Sequence, residues 1–254
     1  MKKHTALGNV LVFIGTVYVN YLGGSGQING IGTGEVSGMF PTLFTPSGMT
    51  FAIWGVIYSL GAIFVIYQLY KAFRLPENFD RPLNNAFFFI CIANSMWIVA
   101  WSRLAIGYSL FLMLVILVFL LGAYWKARIP KYSMEYIAEY LHFSIYLAWI
   151  SVASIANVSI WLTHMGIAPY GNAQGIVTLL VLAVAAGLSL YFIFWQKNVW
   201  YPLVMVWAFY GIFIARTEDL SEGAEMIQFG AFAGLLIVFS AMAYFRIKQR
   251  RVRS

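Results

Sequence analysis

AEYLHFSIYLAWISVASIANVSIWLTH, residues 138–164, is long and apolar enough to cross a membrane as one helix, since a crossing takes roughly 20 residues. At helical spacing His142, Tyr146, Trp149, Ala153 and Ala156 form one stripe, with Asn157 beside it. Ser144, Ala148, Ser151 and Ile155 form a second, smaller-sided stripe that lets another helix approach closely. An Asn and a Tyr inside a lipid-facing run need hydrogen-bond partners, so the aromatic stripe faces inward, toward other helices or a ligand. Core packing alone could produce one such stripe. Two further runs repeat it: Phe51, Trp54 and Tyr58 fall at i, i+3, i+7, and so do Asn94, Trp97 and Trp101.

Working outward, 61% of the 254 residues are hydrophobic and 10% are charged, whereas a soluble domain carries about 25% charged residues. The fold class is an all-α integral membrane protein. Apolar runs at about 6–22, 49–70, 84–102, 105–125, 138–162, 175–195, 199–215 and 227–245 predict about eight transmembrane helices, the run at 199–215 being the shortest. With Met1 in the cytoplasm, every one of the 16 Lys and Arg residues except Arg103 and Arg216 lies on the inner side. That bias sets orientation: both termini are expected inside, in a membrane of the bacterial inner (plasma) type. It also accounts for the net charge of +7 without nucleic acid as a partner. The lone Cys91 falls within a span and permits no intrachain disulfide.

The three stripes are where the chain resembles a known family. Tyr146, Trp149, Ala153 and Asn157 fall in register with the fifth-helix signature of the translocator protein / tryptophan-rich sensory protein (TspO/MBR) family. Asn94-Ser-Met-Trp97 is similar to its third-helix N-x-x-W, and FTPSGMTFAIWGVIY at 44–58 resembles its Pro-Gly-aromatic lead into helix two. The resemblance covers about the first 165 residues. It implies a five-helix bundle over 1–165, with three additional helices and a basic cytoplasmic tail over 166–254. It further implies a ligand wall of Trp54, Tyr58, Asn94, Trp97, Tyr146, Trp149, Ala153 and Asn157, for a hydrophobic planar small molecule: a tetrapyrrole or a sterol-like lipid, with a sensory or transport outcome. Some members degrade porphyrin in light with paired tryptophans, and Trp149 matches one of those positions.

The Gly- and Ser-rich segment 23–48 has no Lys or Arg and reads either as a flexible surface loop or as a lid anchored by Phe40, Pro41, Phe44 and Pro46. The resemblance favours the lid, because the family's first loop covers the pocket mouth. The inner connection at 71–82 reads as solvated, as does the acidic RTEDLSEGAE at 216–225. Gly230-x-x-x-Gly234 is a helix-packing motif, within the chain or across a homodimer. The tail RIKQRRVRS at 246–254 suits an anionic lipid surface.

No Asp, Glu or Lys lies near the middle of any predicted span, which argues against proton- or cation-coupled transport and excludes a retinal Schiff base. His142 and His164 lie too far apart along one helix to share a metal, and no hydrolase or metal motif is present, so no catalytic residue or metal ligand is assigned. A membrane carrier would need a polar track through the last three helices, where Thr178, Ser189, Gln196 and Ser240 are the candidates.

Overall fold

In bilayer-like surroundings a backbone can satisfy its polar groups only within its own segment, so the apolar runs become helices. A computed structural model of the protein, described over residues 3–74, 83–128, 130, 132–169 and 171–253, contains α1 (Lys3–Gly24), α2 (Thr33–Gly38), a 3-10 turn (Gly48–Ala52), α3 (Ile53–Arg74), α4 (Leu83–Ser102) and α5 (Ile106–Ala127). It continues through α6 (Ser133–Glu135), a π-helical stretch (Tyr136–Leu141), α7 (His142–His164), α8 (Gly171–Phe194), α9 (Trp200–Ala215) and α10 (Ala224–Arg253). Among the described residues seven helical segments are long and apolar enough to cross a membrane, and α9 is a shorter apolar helix of 16 residues. The chain is an all-α integral membrane protein. The solvated reading of 71–82 lies outside the described residues over 75–82, as do Lys2, Arg81 and Lys131 from the orientation count.

The chain forms two compact units, the first comprising Met1–Phe40 and Ala52–Trp161, the second Pro41–Phe51 and Leu162–Ser254. In the first, α4 and α5 form an antiparallel hairpin whose turn places Leu104 at φ 58°. α1 ties itself to α3 and α4 through polar groups one to two turns apart: Asn9 Nδ2 donates to Gln68 Oε1 (2.8 Å), Thr16 Oγ1 to the Cys91 carbonyl (3.1 Å) and Asn20 Nδ2 to Asn94 Oδ1 (2.7 Å). Such bonds have no water to compete with them in a membrane. At the C-terminal end of α3, Lys71 Nζ lies 3.2 Å from Glu139 Oε1 and 3.8 Å from Glu135 Oε1, all three side chains being buried. The Tyr67 ring lies 5.0 Å from the same ammonium. Both glutamates sit at the π-helical stretch, where the wider turn alters the register of the segment leading into α7.

In the second unit, α10 packs on α8 and α9. A Cβ on Gly230 would come within 2.5 Å of Leu179, and one on Gly234 within 3.2 Å of the Phe209 ring, so the two glycines serve packing within the chain. Phe192 and Tyr201 stack at 3.7 Å. Of the four polar residues expected to mark a carrier track, Thr178 is buried, Ser189 bonds the Ala185 carbonyl of its own helix, Gln196 bonds the Tyr191 hydroxyl, and Ser240 is exposed.

The first loop departs from the flexible reading. Its middle is the helix α2, with Val36 and Ser37 buried and Trp101 Nε1 donating to the Thr33 carbonyl at 3.0 Å. Of the expected lid anchors, Phe40 stays with the first unit, while Pro41, Phe44 and Pro46 belong to the second. Leu43 and Phe44 are buried there, so the far end of the loop is anchored by the C-terminal helices.

Candidate functional site

The 3-10 turn at Gly48–Ala52 runs straight into α3, which presents Trp54 and Tyr58 one turn apart on one face. Their rings stack at 5.5 Å and 19°. On α4, Trp97 and Trp101 repeat the spacing and stack at 5.9 Å and 23°. Trp54 and Trp97 join the two pairs at 6.1 Å and 29°, which makes Tyr58, Trp54, Trp97 and Trp101 a continuous slab of near-parallel rings. From α7, Tyr146 and Trp149 meet Trp54 edge-on, at 5.9 Å and 75° and at 6.5 Å and 87°. Offset stacking and edge-to-face contact are the two arrangements that the ring quadrupole favours, each pair contributing about 0.5–1.5 kcal/mol beyond its buried area. Trp54 is the hub. It touches four rings and is only half-buried, whereas Trp97, Trp101, Tyr146 and Trp149 are each 5% exposed or less.

The polar residues tie this corner together. Asn94, fully buried, accepts from Asn20 and donates to the Tyr146 hydroxyl at 3.2 Å. Asn157 Oδ1 accepts from Trp97 Nε1 (3.5 Å) and Ser109 Oγ (3.3 Å), and its Nδ2 donates to the Ala153 carbonyl (3.0 Å). The requirement that a buried Asn find partners is thus met by α4, α5 and α7 together. Asn157→Ala should lower stability by about 1–3 kcal/mol, because it strands the buried Trp97 N–H, whereas Ser109 Oγ keeps its bond to the Ile106 carbonyl (2.9 Å). A thermal melt in detergent measures this, and an unchanged melting temperature would show that these bonds contribute nothing net.

The structure therefore gathers Trp54, Tyr58, Trp97, Tyr146 and Trp149 by ring contact, and Asn94, Asn157 and Ala153 by hydrogen bonds attached to them. Sequence reading did not single out Asn20 or Ser109, and it quoted Trp101 without placing it in the wall. Asn20 had a signal, a carboxamide in an apolar run. Ser109 had none, since a serine at a helix start is commonplace. Next to Tyr146 on the same stripe, His142 is enclosed by Phe64, Phe87 and Phe143 at 4.9–6.0 Å. Its Nδ1 and the Tyr58 hydroxyl are buried atoms with no hydrogen-bond partner among the described residues. A buried polar atom left unsatisfied costs about 1–3 kcal/mol.

This arrangement suits a flat, largely apolar molecule. The slab presents ring faces, Ala153 adds little bulk beside Trp149, and the Tyr58 hydroxyl is a buried polar group without a hydrogen-bond partner among the described residues. Among the described residues no three His, Cys, Asp or Glu side chains gather as a metal site would.

No curated protein and no solved structure matches the chain. A family model described as TSPO-like protein matches residues 6–244, running through both compact units and including the last three helices. The chain belongs to the TSPO-like protein family.

Proposed function

We propose that this protein is a membrane receptor or binding protein for a hydrophobic planar ligand, a tetrapyrrole or a sterol-like lipid, with a sensory or transport role. The observation that carries the reading is the slab of near-parallel rings cornered by Tyr146 and Trp149 around the half-buried Trp54. A planar ligand that slides against Trp54 extends an existing stack, so its binding replaces lipid contact with ring contact on a face already oriented for it. The Tyr58 hydroxyl would then gain the partner it lacks.

Titration of the purified protein with protoporphyrin tests this by Soret absorbance and tryptophan quenching. Because the chain holds nine tryptophans, the same titration on Trp54→Phe reports how much quenching belongs to the hub. Saturable quenching that weakens in that variant supports the reading, and unsaturable quenching in the wild type sinks the tetrapyrrole version. Sterol is tested separately with a photoreactive sterol probe.

A second reading, light-dependent degradation of bound porphyrin, has the edge-on Trp54–Trp149 pair in its favour, two indoles 6.5 Å apart on different helices. Illumination of the porphyrin-loaded protein should then give a product whose formation stops in Trp149→Phe. Product formation that persists unchanged there counts against this chemistry.

A further inference from the structure

Asn20, Asn94 and Tyr146 form a hydrogen-bonded chain within the first unit, and its direction follows from one end. An amide oxygen accepts and an amide nitrogen donates, so the partner of each atom settles which it is. Asn20 Nδ2 lies 2.8 Å from the Thr16 carbonyl, a group that can only accept, which fixes that Asn20 atom as the nitrogen. The same nitrogen lies 2.7 Å from the Asn94 amide, so the Asn94 atom facing it is Oδ1. Asn94 Nδ2, 3.2 Å from the Tyr146 hydroxyl, is left to donate. The Tyr146 oxygen therefore accepts, and its own proton is directed elsewhere.

Among the described residues nothing takes that proton. Tyr146 is 5% exposed, so water is not at hand, and a buried donor without an acceptor is costly. Tyr58 and Tyr146 both lie against Trp54, at 5.5 and 5.9 Å, and His142 stacks on Tyr146 at 6.0 Å. The Tyr58 hydroxyl and His142 Nδ1 are themselves without partners, so neither is the acceptor. Had the Asn94 amide stood the other way round, its oxygen would have taken the Tyr146 proton. As it stands, a molecule entering this corner meets a phenol that can only donate to it.

We propose that the ring site selects ligands that carry a hydrogen-bond acceptor at one edge, a carbonyl or hydroxyl oxygen that takes the Tyr146 proton. Asn20 is a positioning residue for this preference, because it holds the Asn94 amide in the orientation that makes Tyr146 a donor. The Tyr58 hydroxyl, free to donate or to accept, suits either kind of oxygen. The inference rests on the reading of those rings as the ligand site and adds the polar group that its ligand must bring.

The test uses the full-length protein and probe pairs that differ in the acceptor: mesoporphyrin dimethyl ester against etioporphyrin, and cholestenone against cholestane, the steroids read by competition with a photoreactive sterol probe. In the wild type the acceptor-bearing member should bind about three- to tenfold tighter, the scale of one hydrogen bond. The pair that shows this ratio identifies the source of the acceptor. Tyr146→Phe keeps the ring and should erase the ratio. Asn20→Leu frees the Asn94 amide to turn over and take the Tyr146 proton, so the ratio should shrink while the acceptor-free member binds as before. A merely structural role for Asn20 would weaken both members alike. Binding whose ratio is the same in all three proteins overturns the proposal and leaves the ligand reading standing. If neither pair binds saturably, the ligand reading fails by itself, and the Raman doublet of tyrosine still reports the hydrogen bond once the spectrum of the matching Tyr146→Phe protein is subtracted. It should show a phenol that only accepts in the wild type and one that donates in Asn20→Leu, and a donating phenol in the ligand-free wild type overturns the proposal.

Discussion

Trp149→Ala should lower the stability of the protein by about 3–5 kcal/mol, the usual cost of deleting a large buried aromatic side chain. In the fraction that stays folded it should weaken protoporphyrin binding by about 1–3 kcal/mol, the scale of aromatic burial. Both effects follow from where the ring is: 2% exposed, inside α7, with its plane at 87° to the hub Trp54. Losing it leaves a hole beside Ala153 and removes one of the two edges that hold Trp54 in the slab. Trp149→Phe separates the two roles, since a phenyl ring fills most of the space and keeps an edge-on partner while changing the surface presented to a ligand. Thermal melts and protoporphyrin titrations on both variants give the answer. If Trp149→Phe binds like the wild type and the surviving Trp149→Ala does too, the rings are core packing and helix α7 has no part in ligand recognition.

At the Lys71 end of the same unit, Lys71→Met should cost about 3–5 kcal/mol, because removing one member of a buried ion cluster leaves charge in a medium that solvates it poorly. Lys71 is 5% exposed and stands between two carboxylates that are 1% and 2% exposed. The triple variant Lys71→Met, Glu135→Leu, Glu139→Leu should recover most of that loss, since buried ions replaced together by apolar groups are often close to neutral. Unfolding in a denaturing detergent compares the three proteins. A loss below about 1 kcal/mol in Lys71→Met would place the cluster with exposed pairs, which contribute little, and would sink the account of it as a buried lock between α3 and the π-helical stretch.

The membrane class and the helices were legible in the chain because they depend on local sums. A run of apolar residues must close its own backbone hydrogen bonds in lipid, so hydropathy counted over one segment is enough to find it. The pairing of Trp54 with Tyr58, of Trp97 with Trp101 and of Tyr146 with Trp149 was legible for the same reason: helical period puts residues three or four apart on one face. What tertiary structure alone decided lies between distant segments. Lys71 and Glu139 are 68 positions apart, and the π-helical stretch shifts the register through which a periodic reading would have placed Glu135 and Glu139. The allegiance of Pro41–Phe51 was equally hidden, because its partners on α9 and beyond are 157 and 174 positions away and bind carbonyl oxygens. A backbone carbonyl is the same on every residue, so nothing in the letters of 41–51 marks which helix will hold it.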